Sequence, residues 1–386
     1  MNHKILAINP GSTSTKIAVY HNAKPIFLKS ILHDPAQLRK FKRISDQYEL
    51  RKNIILDELR SSHINIDSIE VIVGRGGLVR PIESGVYIVN ERLRHDLLEG
   101  VMGEHASNLG GLIAHDIARE LPKCRAFIAD PVVVDELQDV ARISGHPMFQ
   151  RYSIFHALNQ KATARAYSRL MNRKYEELNL VIAHMGGGIS IGAHRKGRVI
   201  DVNQALDGEG PFSPERSGTL PSGALAKLCF SGKYSLDEIK KMITGEGGYV
   251  AYMGTNSAYE VELQAQDGDE KARLIQDAMS YQIGKVIAAM CSVLHGDVDA
   301  IILTGGISHN PMVVEYIKKM VSFIAPVVIY PGEDEMHALA MNGLMVLKGE
   351  IKPREYDEST MVKVQLPCWE DNDHEKDEMM KTNDVE

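Results

Sequence analysis

Short apolar runs that alternate with turns rich in small polar residues organise the start of the chain. Residues 5–8 and 17–20 are two such runs, and the turn between them consists almost wholly of Gly, Ser, Thr, Asn and Pro. Apolar runs of this length, bounded by such residues, are typical of buried strands. The chain therefore begins with a predicted hairpin whose turn offers backbone N–H groups, small hydroxyls and one lysine.

The same pattern returns in the second half of the chain. At residues 180–195 an apolar run again enters a glycine turn and a second apolar run leaves it, and a further glycine pair follows the run 300–303. The repeat predicts two related domains, 1–150 and 151–340, that face each other across a cleft. A C-terminal helix near 340–365 is expected to join the first of them.

Between these turns the chain alternates between strand and helix patterns. One long surface helix is predicted from Leu38 to Leu59 on a charged background. Further strands are predicted at 69–73, 126–129, 299–303 and 325–330, and further helices at 157–171, 224–230, 235–243, 272–295, 310–321 and 335–348. This alternation predicts α/β layers. An irregular segment at 207–223 is long enough to be either functional or disordered.

Length and composition favour a two-domain cytoplasmic enzyme. At 386 residues the chain exceeds what one hydrophobic core usually supports. No apolar run approaches the roughly 20 residues of a membrane helix, and the N-terminus lacks the apolar core of a signal peptide. The four cysteines are scattered without a CxxC pair, which predicts reduced thiols.

The formal net charge of −7 is concentrated at the end of the chain. Residues 367–386 contain eight acidic residues and two lysines, so the remainder is close to neutral. We interpret this end as a solvated, mobile acidic tail. The body of the chain carries no basic patch of the kind that indicates nucleic-acid binding.

The glycine turns are the first candidates for an anion-binding site. The polar residues of the first turn are Asn9, Ser12, Thr13, Ser14 and Lys16. The later turns contain Gly186, Gly187, Gly188, Gly305 and Gly306. Close backbone donors and a lysine suit a phosphate group, although the first turn taken alone also fits a polar hairpin tip. The recurrence of the turn favours a nucleotide held from several sides.

Two better-known motifs, the P-loop and the nucleophile elbow, can be set aside. Residues 11–16 have the lysine of a P-loop but lack its Gly-Lys-Ser/Thr ending. Residues 188–192 match the GxSxG of a nucleophile elbow, which requires a helix after the turn. The sequence here stays strand-like, which argues against a serine hydrolase.

Two arginines and two acids are candidates for substrate and metal binding. Arg75 and Arg216 lie in glycine- or proline-rich segments, and a guanidinium binds carboxylate or phosphate with two parallel hydrogen bonds. Asp130 follows a predicted strand and precedes a proline, a position that suits a Mg²⁺-binding carboxylate. Glu335 is a candidate second acid near the metal. Surface ion pairs, turn caps and helix caps are the structural alternatives.

Two of the fifteen histidines are candidates for phosphate contact. His156 and His184 each lie where an apolar run meets a polar turn. An imidazole at such a place can hydrogen-bond a phosphoryl or carboxylate oxygen, whereas a lone histidine is more often structural.

These segments together resemble the acetokinase family, in particular its butyrate kinases, among the actin, sugar kinase and Hsp70-type (ASKHA) proteins. The resemblance rests on residues 9–16, 155–160, 183–190, 215–219 and 303–306 and extends to about residue 355. It implies two duplicated ribonuclease H-like domains around a central cleft, the first on the acyl side and the second on the nucleotide side. It also implies reversible phosphoryl transfer between ATP and butyrate, with Mg²⁺, in a homo-oligomer.

The resemblance also implies a role for each candidate residue. Arg75 and Arg216 would hold the carboxylate and the transferring phosphoryl group. His156 would stabilise the transition state, and His184 would contact the phosphates. The residues that would position Mg²⁺, directly or through water, are Asn9, Asp130 and Glu335. The glycine turns would line the nucleotide site.

Several alternatives stay open at this point. Residues 156–160 and the 205–216 loop depart from the acetate kinase pattern, which favours a longer acyl chain but leaves branched acids (isobutyrate, isovalerate), acetate and propionate possible. A switch ATPase of the Hsp70 or actin kind would need a partner-binding domain. A sugar kinase would need a catalytic aspartate in a polar loop. The sequence shows neither feature.

Overall fold

The computed structural model describes residues 2–364, which form two mixed β-sheets with helices on their faces. The strands are β1 (Lys4–Pro10), β2 (Ser14–His21), β3 (Lys24–Leu32), β4 (Val71–Arg75), β5 (Val86–Ile88), β6 (Arg125–Ala129), β7 (Asn179–Met185), β8 (Ile189–Arg195), β9 (Arg198–Val202), β10 (Ala300–Gly305) and β11 (Val327–Pro331). The helices are α1 (Pro35–Leu38), α2 (Tyr48–Ser61), α3 (Glu91–Glu99), α4 (Asn108–Arg119), α5 (Asp139–Arg142), α6 (Ala157–Leu170), α7 (Ser222–Cys229), α8 (Leu236–Ile243), α9 (Gly248–Met253), α10 (Ala258–Gln266), α11 (Glu270–Val293), α12 (Pro311–Val321) and α13 (Glu335–Leu347). None of the helices between residues 2 and 364 combines the length and apolar character needed to cross a membrane.

The two sheets share one strand order. In the first, β1, β2 and β3 form an antiparallel meander, and β4 and then β6 add in parallel on the other side of β1. In the second, β7, β8 and β9 form the meander, and β10 and then β11 add in parallel beside β7. The predicted α/β fold of two related halves is therefore confirmed, whereas the limits 1–150 and 151–340 stay predictions.

The central strands of each sheet are buried on both faces, which explains why their middle residues read as unbroken apolar runs. In β1, Leu6 and Ile8 face a core shared with α2, α3 and α4, whereas Ile5 and Ala7 face a core shared with α13. Successive residues of a strand point to opposite faces, so the four consecutive residues Ile5–Ile8 of β1 are all apolar. The second sheet likewise packs α11 and α12 on one face and α6 on the other.

Helix α13 returns the chain to the first domain. Although it follows β11 of the second sheet, it packs against β1 and β4. Gly343 lies so close to this sheet that an added Cβ would be 2.8 Å from Cγ2 of Val73. The chain then continues beside the first domain, where the Arg354 N–H donates to the carbonyl of Val86 at 2.8 Å.

One C-terminal prediction needs correction. The helix expected near 340–365 occupies Glu335–Leu347 instead, because Arg354 and Val362 pair their backbone N–H groups with carbonyls of the first domain (Val86 and Pro81) rather than with a preceding helical turn. The acidic tail predicted at 367–386 lies outside the described residues.

The long helix predicted from Leu38 to Leu59 is wrong. The one-turn helix α1 already ends at Leu38, and α2 begins only at Tyr48. Between them, Arg43 pairs with Glu104 (Nε to Oε1, 2.6 Å) and donates to two carbonyls at the end of α3. These tertiary contacts outweigh the helix propensity of the segment.

The segment 207–223, expected to be functional or disordered, has a defined conformation without regular structure. The N–H of Ser213 donates to the carbonyl of Arg216 at 3.0 Å, and the N–H of Ser217 donates to the carbonyl of Ile243 at 3.0 Å. The hydroxyl of Ser213 also donates to the carbonyl of Gly187 at 2.6 Å. The loop is thereby fixed against the glycine turn between β7 and β8.

Candidate active site

Three candidate residues lie together at the carboxyl edge of the first sheet. Asn9 lies near the end of β1, Arg75 ends β4, and Asp130 directly follows β6. These strands are parallel, with β4 between β1 and β6. Ligands of open α/β sheets bind beyond this edge. Asn9, Arg75 and Asp130, which are far apart in the sequence, therefore lie at the same edge of the first sheet.

The second sheet contributes its own carboxyl edge. His184 lies near the end of β7, beside the parallel strand β10. Gly305 has a φ of +88°, and an added Cβ would lie 2.3 Å from the carbonyl oxygen of Met185. The glycine turns of residues 186–188 and 305–306 therefore adjoin each other, although their contact with a nucleotide stays a prediction.

His156 and His184 form a stacked pair, with ring centroids 3.9 Å apart and an angle of 15° between the rings. His156 is the residue that directly precedes α6, and Nδ1 of His184 lies 2.8 Å from Oδ1 of Asn159 in the first turn of that helix. Burial, followed by the charges of Arg75 and Arg216, lowers the pKa of His184 to about 3. Burial and then His184, Arg216 and Arg75 hold the pKa of His156 well below its ordinary value. Both imidazoles are therefore neutral at pH 7.

Arg216 reaches this pair from the loop over the glycine turn. Its guanidinium packs on Gly188, where an added Cβ would lie 1.9 Å from Nη1. The same Nη1 donates to the carbonyl of Ala205. Burial lowers the pKa of Arg216, but the guanidinium still carries its charge at pH 7. Only a residue without a side chain at position 188 leaves space for this cation.

Arg75 faces a carboxylate. Its Nη1 and Nη2 lie 3.1 and 3.0 Å from Oε2 and Oε1 of Glu335. Asn9 hydrogen-bonds to both side chains of this pair. Its Nδ2 donates to Oε2 of Glu335 at 2.6 Å, and its Oδ1 accepts from Nη1 of Arg75 at 3.3 Å. This two-pronged geometry is the one by which an arginine recognises an organic acid.

Asp130 lines the same narrow pocket as Arg75 and Glu335, but its carboxylate is held by other groups. Oδ1 accepts from the Ser84 hydroxyl at 2.6 Å and from the backbone N–H of Gly85 at 2.9 Å. Oδ2 accepts from Arg165 of α6 at 3.2 Å. Three of about four acceptor positions of this carboxylate are therefore used.

The oxygen donors of this edge fit Mg²⁺ only in part. Asn9 and Glu335 supply hard oxygens that at present contact Arg75, whereas three hydrogen bonds already occupy the carboxylate of Asp130. Among residues 2–364, no three or more His, Cys, Asp or Glu side chains form a ready-made metal site. Mg²⁺ at nucleotide sites usually keeps several waters and one or two protein carboxylates, which these residues can provide.

Arg51 of α2 holds the first glycine turn, and sequence analysis missed it. It is 1% exposed, and its guanidinium donates to the carbonyls of Gly11 (2.7 Å), Ser12 (2.9 Å) and Ser14 (3.3 Å). Burial lowers the pKa of Arg51 to about 10. The N–H of a trans peptide points opposite to its carbonyl, so the N–H groups of Ser12 and Thr13 face away from Arg51. The turn thus presents donors outward, as an anion site requires.

His105 was also missed. Burial, followed by the charges of Arg75 and Arg216, lowers the pKa of His105, so this imidazole faces the same two cations as the stacked pair. Its Nδ1 lies 2.8 Å from Oγ of Ser107. The local sequence carries little signal, because a polar residue shortly before a helix is common.

Glu333 completes the polar edge beside His184. One of its carboxylate oxygens lies 3.4 Å from Nε2 of His184. Burial and then the neighbouring Glu335 raise the pKa of Glu333, against the charges of Arg75 and Lys16. Lys16 therefore acts electrostatically on the same edge as Arg75.

Comparison with known proteins agrees with this geometry. The acetokinase family pattern matches residues 145–325. Butyrate kinase 2 of Clostridium acetobutylicum is 56% identical over 356 residues, which covers 92% of this chain and 100% of the relative. The chain belongs to the acetokinase family. The family assignment made from the sequence motifs is therefore confirmed.

Solved structures of two other kinases place the chain in the same fold. An acetate kinase of Porphyromonas gingivalis superposes with a TM-score of 0.72 at 18% identity, over 89% of this chain and all of that one. A propionate kinase of Francisella tularensis gives a TM-score of 0.69 at 18% identity, over 88% of this chain and 98% of that one. At this level of identity the similarity establishes the fold.

Proposed function

We propose that this acetokinase-family chain transfers a phosphoryl group reversibly between ATP and butyrate, giving ADP and butyryl phosphate. The observation that carries the proposal is the placement of two arginines beside the stacked histidines: Arg75 lines one pocket with His156, and Arg216 packs on Gly188 in the turn after His184. One arginine comes from the edge of the first sheet and the other from a loop of the second domain. The 56% identity to a butyrate kinase supports the choice of substrate.

The chemistry needs placement and positive charge rather than a strong base. A carboxylate oxygen forms a bond to the γ-phosphorus while the bond from that phosphorus to the β–γ bridging oxygen breaks. No proton has to move. Arg216 stabilises the charge on the equatorial oxygens, and His156 and His184 contribute hydrogen bonds without adding charge.

Glu335 occupies the place where we put the substrate carboxylate. Its two carboxylate oxygens engage both terminal nitrogens of Arg75. Butyrate binding therefore requires Glu335 to leave at least one of them. The walls of the same narrow pocket include Val132 and Leu158, which we propose contact the acyl chain.

The phosphates of ATP would lie against the turns that contain Ser12, Thr13 and Gly186–Gly188, with Gly305 and Gly306 nearer the nucleoside. Asn9 and Glu335 would hold Mg²⁺ directly or through water, and Asp130 would do so through water. When bound, Mg²⁺ offsets the negative charge of the β- and γ-phosphates.

Acyl phosphate formation, trapped as hydroxamate, tests the proposal with straight and branched acids of two to five carbons. We expect the highest kcat/KM with butyrate and at least about tenfold less with acetate, since one methylene in an apolar pocket contributes about that factor or more. Preference for isobutyrate or isovalerate would change the substrate but keep the chemistry. No hydroxamate with any acid would refute a carboxylate kinase, and ATP hydrolysis stimulated by a protein would favour a switch ATPase.

Arginine variants test the site itself. We expect Arg75→Ala and Arg216→Ala each to lose about 10³-fold in turnover, the lower range for an arginine that stabilises phosphoryl transfer. Near-normal turnover in either variant would remove that residue from the site.

We further propose a cytoplasmic homo-oligomer. The cysteines within residues 2–364 are unpaired thiols, as expected in a reducing compartment. Helices α7 to α11 expose large apolar side chains, including Phe230 (92% exposed), Tyr259 (66%) and Leu274 (67%). Such a surface is typical of an interface between subunits. Sedimentation velocity that gave a monomer mass at micromolar concentration would contradict the oligomer.

A further inference from the structure

A chain of five hydrogen-bonded side chains runs from the interior of the second domain to His156. Oη of Tyr175 lies 2.6 Å from Nδ1 of His194, whose Nε2 lies 2.8 Å from Oε1 of Gln160. Nε2 of Gln160 lies 2.9 Å from Oγ and 3.1 Å from the carbonyl oxygen of Ser190. Oγ of Ser190 in turn lies 2.9 Å from Nδ1 of His156. Ser190 and His194 are fully buried.

The direction of donation along this chain is fixed by one group that can only accept. The carbonyl of Ser190 has no proton, so the Gln160 atom that faces it is the NH₂ nitrogen. Oε1 of Gln160 must then accept, which puts the proton of neutral His194 on Nε2. Nδ1 of His194 accepts in turn from the Tyr175 hydroxyl. Burial raises the pKa of Tyr175 well above its usual value, so this hydroxyl keeps its proton.

The same reasoning gives the proton position on His156. Oγ of Ser190 already accepts from Nε2 of Gln160 and from the backbone N–H of His156 at 3.3 Å. A hydroxyl oxygen has two acceptor positions and one proton. The proton of Ser190 is therefore donated to Nδ1 of His156, and a neutral His156 carries its own proton on Nε2.

We propose that Ser190 is a positioning residue that fixes the tautomer of His156, so that Nε2–H donates to the transferring phosphoryl group. The assignment rests on the phosphoryl transfer proposed above. In the other tautomer, Nε2 would present a lone pair to anionic oxygens, which repels them. Ser190 is the serine of the GxSxG match, and its burial within β8 excludes it as a nucleophile.

Nitrogen NMR of the histidine rings tests the tautomer without turnover. In protein with ¹⁵N-labelled imidazoles, His156 should show a protonated Nε2 and an unprotonated Nδ1, with its signals assigned by their loss in His156→Gln. In Ser190→Ala, protonation should move toward Nδ1. A protonated Nδ1 in the wild type would overturn the proposal. Absence of acyl phosphate with the expected tautomer would refute only the proposed function.

Kinetics of matched serine variants complete the test. We expect Ser190→Ala to lose about 10²–10³ in kcat, as for removal of one oriented donor, with KM values for ATP and acid changed far less. Ser190→Thr keeps the hydroxyl and should retain the wild-type tautomer even if it is less stable. Ser280→Ala is the control, because Ser280 is equally buried and donates to a backbone carbonyl at 2.9 Å. Loss of kcat in Ser190→Ala with an unchanged tautomer would refute the proposal.

Discussion

The contact between Gly188 and Arg216 decides where one of the two cations lies. A Cβ at position 188 would lie 1.9 Å from Nη1 of Arg216, so the guanidinium would have to move. Because it is the far end of a flexible side chain, it can move without unfolding the domain. We expect Gly188→Ala to lower kcat by about 10²-fold, the loss that a misplacement of 1 Å can cause, with a melting temperature close to wild type.

Two comparisons separate this effect from a general one. Gly223→Ala is the matched control, because an added Cβ there meets no heavy atom within 4 Å, and its turnover should be unchanged. In the Arg216→Ala background, Gly188→Ala should cause no further loss, since both changes act on one contact. Additive losses in the double variant would show that Gly188 acts independently of Arg216.

Single residues were predictable where the local sequence was unusual. Arg75 and Arg216 were found because cations in glycine- or proline-rich segments suggest anion binding. Arg51 lies in an ordinary amphipathic helix, and its partners lie about forty residues away in the first turn. His105 resembles any polar residue before a helix. Only the fold shows that these two side chains face the site.

Strands and helices were likewise predictable where their local sequence pattern was distinctive. Strands β1, β4 and β6 could be predicted because their middle residues are apolar and buried on both faces of the sheet. Strand β3 was missed, because it is an edge strand whose side chains, including Ile26 and Leu28, are mostly exposed. The break between α1 and α2 could not be predicted, since the contacts of Arg43 that cause it come from α3 and from Glu104.

Arg51 of α2 holds the first glycine turn, so a substitution there tests how one helix shapes the turn. Arg51→Met removes the donors of the part-buried carbonyls of Gly11, Ser12 and Ser14 while keeping an apolar stem of similar length. An unsatisfied buried acceptor costs about 1–3 kcal/mol, and water can reach these carbonyls in part, so we expect a loss of unfolding free energy at the lower end of that range. The turn should also lose its outward N–H geometry, and KM for ATP should rise more than kcat falls.

The neighbouring Arg60 provides the control for Arg51. It lies on the same helix, its side chain is 64% exposed, and it pairs with Asp57 on the helix surface. Arg60→Met should change stability by less than about 0.5 kcal/mol and leave KM for ATP unchanged. An equal change of KM in both variants would mean that Arg51 does not shape the phosphate-binding turn.

For the whole molecule, duplication could be read from the repeated strand pattern, but the joint between the halves could not. The joint is a small apolar cluster formed by Val134, Leu137, Phe155, Ala157, Val199 and Val202. Its members come from three separate segments, none of which is unusual alone. A buried ion pair between Glu136 and Lys161 lies beside it, with Nζ 2.7 Å from Oε2.

This ion pair predicts how firmly the two halves are joined. Lys161 is 1% exposed, and Glu136 also accepts from the N–H of Val199 at 2.7 Å. Lys161→Met would leave a buried carboxylate without its cation, which costs about 3–5 kcal/mol. The midpoint of urea unfolding should therefore fall to a lower urea concentration. Lys318→Met, which breaks the exposed pair with Glu315, should leave this midpoint almost unchanged. Adding Glu136→Gln to Lys161→Met should recover part of the lost unfolding free energy, because the buried carboxylate without a cation is then replaced by a neutral amide. If Lys161→Met were as stable as Lys318→Met, the halves would be held together without this pair.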